Sequence, residues 1–282
     1  MAKASWSHEE GNFEGARGTQ IYYQAWTPAA KLKALIVLAH GIGEHSGRYA
    51  HLADYMARNG FALWACDHRG HGRSGGKRGH VESFDDYIVD IDHLARIAKD
   101  RSPSNKAFLM GLSLGGLIAA YYAEKHPAEL AGLVVSGPAL AWKMKVPPAK
   151  VMIAKILSGI VPTFSIDTGL DPNLLSHDGE VVRKYVEDPM VHKVVTARWG
   201  TEFLRAQDET MRDANKLTLP CLVLQGGADG IVDPDATSRF FKRIGSADKT
   251  LKVYETFYHE VLNEPGKESV LGDISTWLSA RS

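Results

Sequence analysis

Cysteine is scarce. Two residues, Cys66 and Cys221, in a chain of 282 provide no disulfide framework and fit a reducing compartment. Both lie in apolar runs, FALWACD and LPCLVLQ, where a thiol packs as a small hydrophobe. A charge surplus is also missing: 33 Lys and Arg balance 33 Asp and Glu. A nucleic-acid binder needs a basic excess, so that class is set aside. No apolar run reaches the ~20 residues of a membrane span. The opening MAKASWSHEEGNF has no apolar core of the kind a secretion signal carries. The expected placement is cytoplasmic, with any membrane contact peripheral. Internal repeats and low-complexity tracts are absent too.

What is present is an alternation of two rhythms. Short Val-, Ile- and Leu-rich runs occupy 32–40, 61–67, 106–111, 130–137, 219–226 and 250–257. Their near-continuous hydrophobicity suits strands buried on both faces, as in a parallel sheet. Stretches with helical spacing lie between them, at about 48–58, 84–100, 115–125, 235–244 and 267–280. Strand and helix in alternation give a doubly wound α/β fold. The segment 18–26, GTQIYYQAW, alternates apolar and polar residues and is expected as an antiparallel edge strand. Between 139 and 215 the rhythm breaks: five prolines (147, 148, 162, 172 and 189) separate helical pieces, and no clear buried strand appears. The expected organisation is a core of residues 1–138 and 216–282, with 139–215 inserted as a helical cap.

The most informative motif is Gly111-Leu112-Ser113-Leu114-Gly115-Gly116, which matches G-x-S-x-G. Alone it is a weak signal. Here a strand-like KAFLM precedes it and a helical LIAAYYAEKH follows, the strand–turn–helix setting that projects a serine hydroxyl above a sheet edge. Ser113 is the candidate nucleophile. In folds with this elbow the partners follow in the order acid, then histidine. His259 stands after the last strand and is the one histidine beyond 192; it is the candidate base. Asp229, at the end of LVLQGGAD, is the candidate acid that orients it. Asp233 competes, but Asp233-Pro234 reads as a helix N-cap with proline at the first helical position. The His40-Gly41 turn after the first buried strand sits where an oxyanion loop would be, with the backbone N–H groups of Ile42 and Leu114 as donors.

The run His40-Gly-Ile-Gly-Glu-His-Ser-Gly-Arg-Tyr49 resembles the monoacylglycerol lipase family. So do Asp67-His-Arg-Gly-His-Gly-Arg-Ser74, the GLSLGG elbow, QGGAD at 225–229 and Tyr258-His259. The similarity spans about 15–280. The resemblance implies an α/β-hydrolase fold, hydrolysis of a long-chain monoacylglycerol to fatty acid and glycerol, and neither cofactor nor metal. It also implies that Glu44, Arg48 and Tyr185 match positions that hold the glycerol head group. A structural pairing of Glu44 with Arg48 that fixes the oxyanion loop is an equal alternative. Leu112, Val232 and Leu262 stand where the animal enzymes carry His, Cys and His, which makes the head-group pocket more apolar. Lysophospholipases and carboxylesterases share parts of these motifs. An acyltransferase, a perhydrolase and a non-catalytic binding protein on this fold are the remaining alternatives.

Residues 149–161, AKVMIAKILSGIV, place Met152, Ile153, Ile156, Leu157 and Ile160 on one helical face, widened by Val151, Ala154 and Val161, with Lys150 and Lys155 outside it. Ile153 and Leu157 are expected to meet an acyl chain. The face either packs on the cap's own core and lines a tunnel or dips into lipid. The expected partner is a small lipid ester, not nucleic acid; oligomeric state is not encoded legibly.

Overall fold

A computed structural model describes residues 6–102, 104, 106–143 and 148–282, with the backbone alone for 148–151. The side chains of Lys150 and Val151, invoked above, and Pro147 lie outside the described residues.

In chain order the elements are β1 (Trp6–Glu14), β2 (Gln20–Pro28), β3 (Ala34–Ala39), α1 (Ala50–Arg58), β4 (Phe61–Cys66), α2 (Asp85–Arg101), β5 (Ala107–Leu112), α3 (Leu114–Lys125) and β6 (Gly132–Ser136). Then follow α4 (Pro148–Ile160), β7 (Ser165–Asp167), α5 (Gly179–Glu187), β8 (Val194–Thr196) and α6 (Ala197–Asp213). The chain closes with β9 (Cys221–Gly226), α7 (Pro234–Arg243), β10 (Lys249–Tyr254) and α8 (Lys267–Ser279). Eight strands form one sheet in the order β1-β2-β4-β3-β5-β6-β9-β10. The pairs from β4 to β10 are parallel, while β1–β2 and β2–β4 are antiparallel. This is the α/β-hydrolase fold.

The apolar runs become strands because every residue of β3, β4, β5, β6 and β9 is buried. Helices on both faces divide the core into two layers, one around α2 and α3, the other around α1 and α8. α3 is buried along almost its whole length, as suits a helix that is apolar on every side. The outcome places the C-terminal ends of β3, β5, β6 and β9 side by side, the edge where ligands gather in such sheets.

Three expectations require correction. The run at 250–257 is not buried on both faces: it becomes β10 at the sheet edge, where no residue is fully buried. The 18–26 strand is second in the sheet, not at its edge, because β1 pairs along its full length outside it. β1 reads WSHEEGNFE and is mostly exposed, so it carries no hydrophobic period to betray it. The insertion between β6 and β9 is not wholly helical: β7 and β8 form a small antiparallel ladder. These three-residue strands are too short, and β7 too exposed, to leave a pattern.

Candidate active site

Ser113 sits between β5 and α3 with φ 56° and ψ −118°. Apart from Arg17, it is the one non-glycine residue with positive φ among the described residues. Such a conformation costs about 1–3 kcal/mol and persists only when its surroundings dictate it. They do here. Ser113 N donates to Ser136 O at 3.0 Å, and Ser113 O accepts from Leu117 N at 3.1 Å and Ala139 N at 3.0 Å. The flanking glycines are sterically required. A Cβ on Gly111 would lie 2.0 Å from Gly115 O, and one on Gly115 would lie 2.0 Å from Ala39 O.

His259 follows β10 and lies beside the elbow, both residues lining one narrow cleft. Its Nδ1 is 2.8 Å from Asp229 Oδ2. Asp229, fully buried, also accepts from Gln225 Nε2 at 3.0 Å, and its Oδ1 accepts from Ile231 N at 2.8 Å and Val232 N at 2.9 Å. Burial pushes the Asp229 carboxyl up, but the facing His259 and these amides outweigh it and hold it below the usual carboxylate range. Burial pulls His259 down, yet the Asp229 carboxylate raises it above the ordinary imidazole value. The pair is thus poised to accept a proton on Nε2. Among the described residues no hydrogen bond joins Ser113 Oγ to His259, a looseness common in unliganded sites. Asp233 caps α7 instead, accepting from Asp235 N at 3.0 Å.

Ile42 N and Leu114 N have no partner within the chain among the described residues. The amide of Gly41, by contrast, donates to Glu44 Oε1 at 2.6 Å. His40 wires the turn from below: its Nδ1 donates to Gly41 O at 2.7 Å, and its Nε2 accepts from His68 N at 2.8 Å. That pattern requires a neutral ring, and burial holds His40 well below the ordinary histidine value. Asp67 fixes the next stretch by accepting from both Ser46 N and Ser46 Oγ, at 2.8 and 2.6 Å.

Glu44 and Arg48 are paired, with Arg48 Nε 2.8 Å from Glu44 Oε2. Tyr49 also donates to Glu44. Arg48 reaches on to Glu260 at 3.0 Å and stacks over the Tyr185 ring at 4.7 Å. This network braces the Gly41–Ile42 turn against the His259 loop. Glu44, Tyr49, Tyr185 and Glu260 line the cleft, while Arg48 stands behind them. Ser136, whose buried Oγ has no partner among the described residues, lines it as well.

Of the three apolar departures, Leu112 lines the cleft. Val232 and Leu262 are buried in the core instead. Leu170, Leu175 and Tyr185 of the insertion close over the cleft, whose volume open to water is ≈ 20 Å³, about one water molecule. Ile153 and Leu157 do not line it in this state. Ile153 points outward with Met152, Ile156 and Ile160, which are 53–75 % exposed; Leu157 is half-buried. The opposite side of α4 packs on α6, where Ser158 Oγ meets Thr201 Oγ1 at 2.9 Å. α4 thus turns Met152, Ile153, Ile156 and Ile160 to solvent and Ser158 inward.

Gln225, His40, Asp67 and Glu260 are functional supports that the motif reading did not assign. Gln225, His40 and Asp67 lie inside quoted motifs and Glu260 directly follows one, but only the fold shows what each side chain holds.

Comparison with known proteins places residues 30–266 in the family described as serine aminopeptidase, S33. The chain is 38 % identical over 273 residues to a monoacylglycerol lipase of Mycolicibacterium smegmatis, covering 96 % of this chain and 97 % of that one. It is 36 % identical to the monoglyceride lipase of Rattus norvegicus, over 94 % of this chain and 89 % of the other. The crystal structure of a Paleococcus ferrophilus monoacylglycerol lipase superposes with a TM-score of 0.84 at 35 % identity, covering 98 % of this chain and 100 % of that one.

Proposed function

The chain belongs to the serine aminopeptidase S33 family of α/β-hydrolases and is a carboxylic ester hydrolase of lipids, and from that premise we propose that it cleaves monoacylglycerols to fatty acid and glycerol. Ser113 is the nucleophile, His259 the base and Asp229 its orienting acid. The observation that supports this most is the strained Ser113 in one cleft with the Asp229–His259 pair.

His259 Nε2 takes the proton from Ser113 Oγ as that oxygen attacks the ester carbonyl. The amides of Ile42 and Leu114 receive the developing oxyanion. The tetrahedral intermediate collapses, and glycerol leaves with the proton from His259. Water, deprotonated by the same base, attacks the acyl-enzyme and frees the acid and Ser113. Glu44 and Tyr185 face the glycerol end, and Arg48 acts from behind by fixing the oxyanion turn through Glu44. Residues 139–215 act as a cap. An acyl chain needs a pocket of several hundred Å³, so the cap opens to admit it, and Ile153 and Leu157 meet the chain during entry. The outward apolar face of α4 rests on a membrane or micelle surface.

The test is initial rates on a long-chain monoacylglycerol, the matching triacylglycerol and a short p-nitrophenyl ester, with intact protein and Ser113→Ala. Monoacylglycerol turnover with little on triacylglycerol, falling about 10⁶-fold in the variant, is expected. Turnover of the short ester alone would overturn the substrate assignment.

A further inference from the structure

Behind His259 lies a carboxylate that the hydrolytic steps do not use. Glu264 is 0 % exposed. Its Oε1 accepts from Tyr258 N at 2.6 Å and from His177 Nδ1 at 2.9 Å. Its Oε2 accepts from His177 N at 3.0 Å. A buried carboxylate needs such donors to offset the loss of water. These donors come from just two places: the loop carrying His259, and the turn that leads into α5 in the insertion.

Other contacts join the same two segments. Glu260 N donates to Leu175 O at 2.8 Å, and Ser176 Oγ donates to Asn263 O at 2.9 Å. The His177 ring stacks on Tyr258 with centroids 3.7 Å apart. On the far side, a Cβ at Gly226 would lie 2.0 Å from Tyr258 O. Tyr258, the residue before His259, is therefore held between the end of β9, which leads to Asp229, and the Glu264 carboxylate.

On the reading of the active site given above, we propose that Glu264 is a positioning residue: it clamps the His259 loop to the Ser176–His177 turn, so that alignment of His259 with Asp229 depends on docking of that turn. It touches neither substrate nor the reacting atoms. Through it, cap placement and base geometry are coupled.

The experiment measures kcat, KM and the pH dependence of kcat/KM on a soluble p-nitrophenyl ester. Four proteins are compared: the intact chain, Ser113→Ala, Glu264→Gln and His177→Ala. Gln keeps the shape but points an amide N–H₂ at one of the existing donors. In Glu264→Gln, kcat is expected to fall about 10- to 100-fold, the scale of a sub-ångström to 1 Å misplacement, with KM within about twofold. The acid limb should move to lower pH, because Asp229 is what raises His259 above its ordinary value. His177→Ala removes a half-exposed ring and one bond, and retains the fold should Glu264→Gln not. Its kcat is expected to fall about three- to tenfold, with the limb moving the same way. Intact values of kcat and pH limb in His177→Ala, or a Glu264→Gln loss that tracks the unfolded fraction with the limb unmoved, would overturn the clamp. An intact chain without Ser113-dependent turnover would overturn the hydrolase reading instead.

Discussion

At the scale of single residues, the site depends on charges held by short, directed bonds. Asp229 has four donors, and one is the imidazole of His259. The sign of the pH dependence follows. Asp229 raises the His259 pKa above the ordinary value, and catalysis needs His259 neutral, so kcat/KM is lost as pH falls through a value above ~6.5. Asp229→Asn removes the charge while keeping the shape. It is expected to lower kcat about 10⁴-fold and to shift the acid limb to lower pH, read from a pH–rate profile. An unmoved limb would mean that Asp229 is not what tunes the histidine. Motif and chain order single out Ser113 and His259, and a cap motif that accounts for Asp233 leaves Asp229; the structure puts Ser113 and His259 in one cleft, Asp229 on His259 and Asp233 at the start of α7. Gln225, His40 and Glu264 could not be singled out, since a side chain's hydrogen-bond partners are set by chain folding over tens of residues and leave no local pattern.

At the scale of elements, α4 is the anomaly. Its Ser158 faces α6, while Met152, Ile153, Ile156 and Ile160 face solvent. The sequence shows an apolar stripe but not which way it points; packed stripes and exposed ones have the same period. Only the docking of α6 decides. An exposed apolar face of this kind is stabilised by lipid, each isoleucine by about 1 kcal/mol or more. Replacing Ile153, Ile156 and Ile160 by serine is therefore expected to weaken sedimentation with phosphatidylcholine vesicles at least about tenfold and to slow turnover of vesicle-borne monoacylglycerol. Turnover of a soluble short ester should stay within about twofold. Equal vesicle binding by the triple variant would contradict a lipid-facing role. The buried strands were legible because their hydrophobicity is continuous. β1 was not, because an exposed edge strand needs none.

At the scale of the whole molecule, the parallel sheet brings four strand ends to one edge, and each delivers one part. β3 leads into the Gly41–Ile42 turn, β5 into the elbow, β6 ends in the Ser136 carbonyl that receives the Ser113 amide, and β9 leads into the Asp229 turn. The insertion between β6 and β9 closes over that edge through Leu170, Leu175 and Tyr185. Architecture and the order of parts were readable in the alternating rhythm and its interruption. The closed state of the cleft was not, because it depends on contacts between segments far apart in the chain.

The most direct measurement is mass analysis of the chain after reaction with a long-chain alkyl fluorophosphonate, with and without excess monoacylglycerol. One phosphonyl group on the peptide containing Ser113, slowed by monoacylglycerol and abolished in Ser113→Ala, is the expected result. Labelling elsewhere, or labelling of Ser113 that monoacylglycerol leaves unchanged, would contradict the assignment of this cleft as the site of lipid ester cleavage.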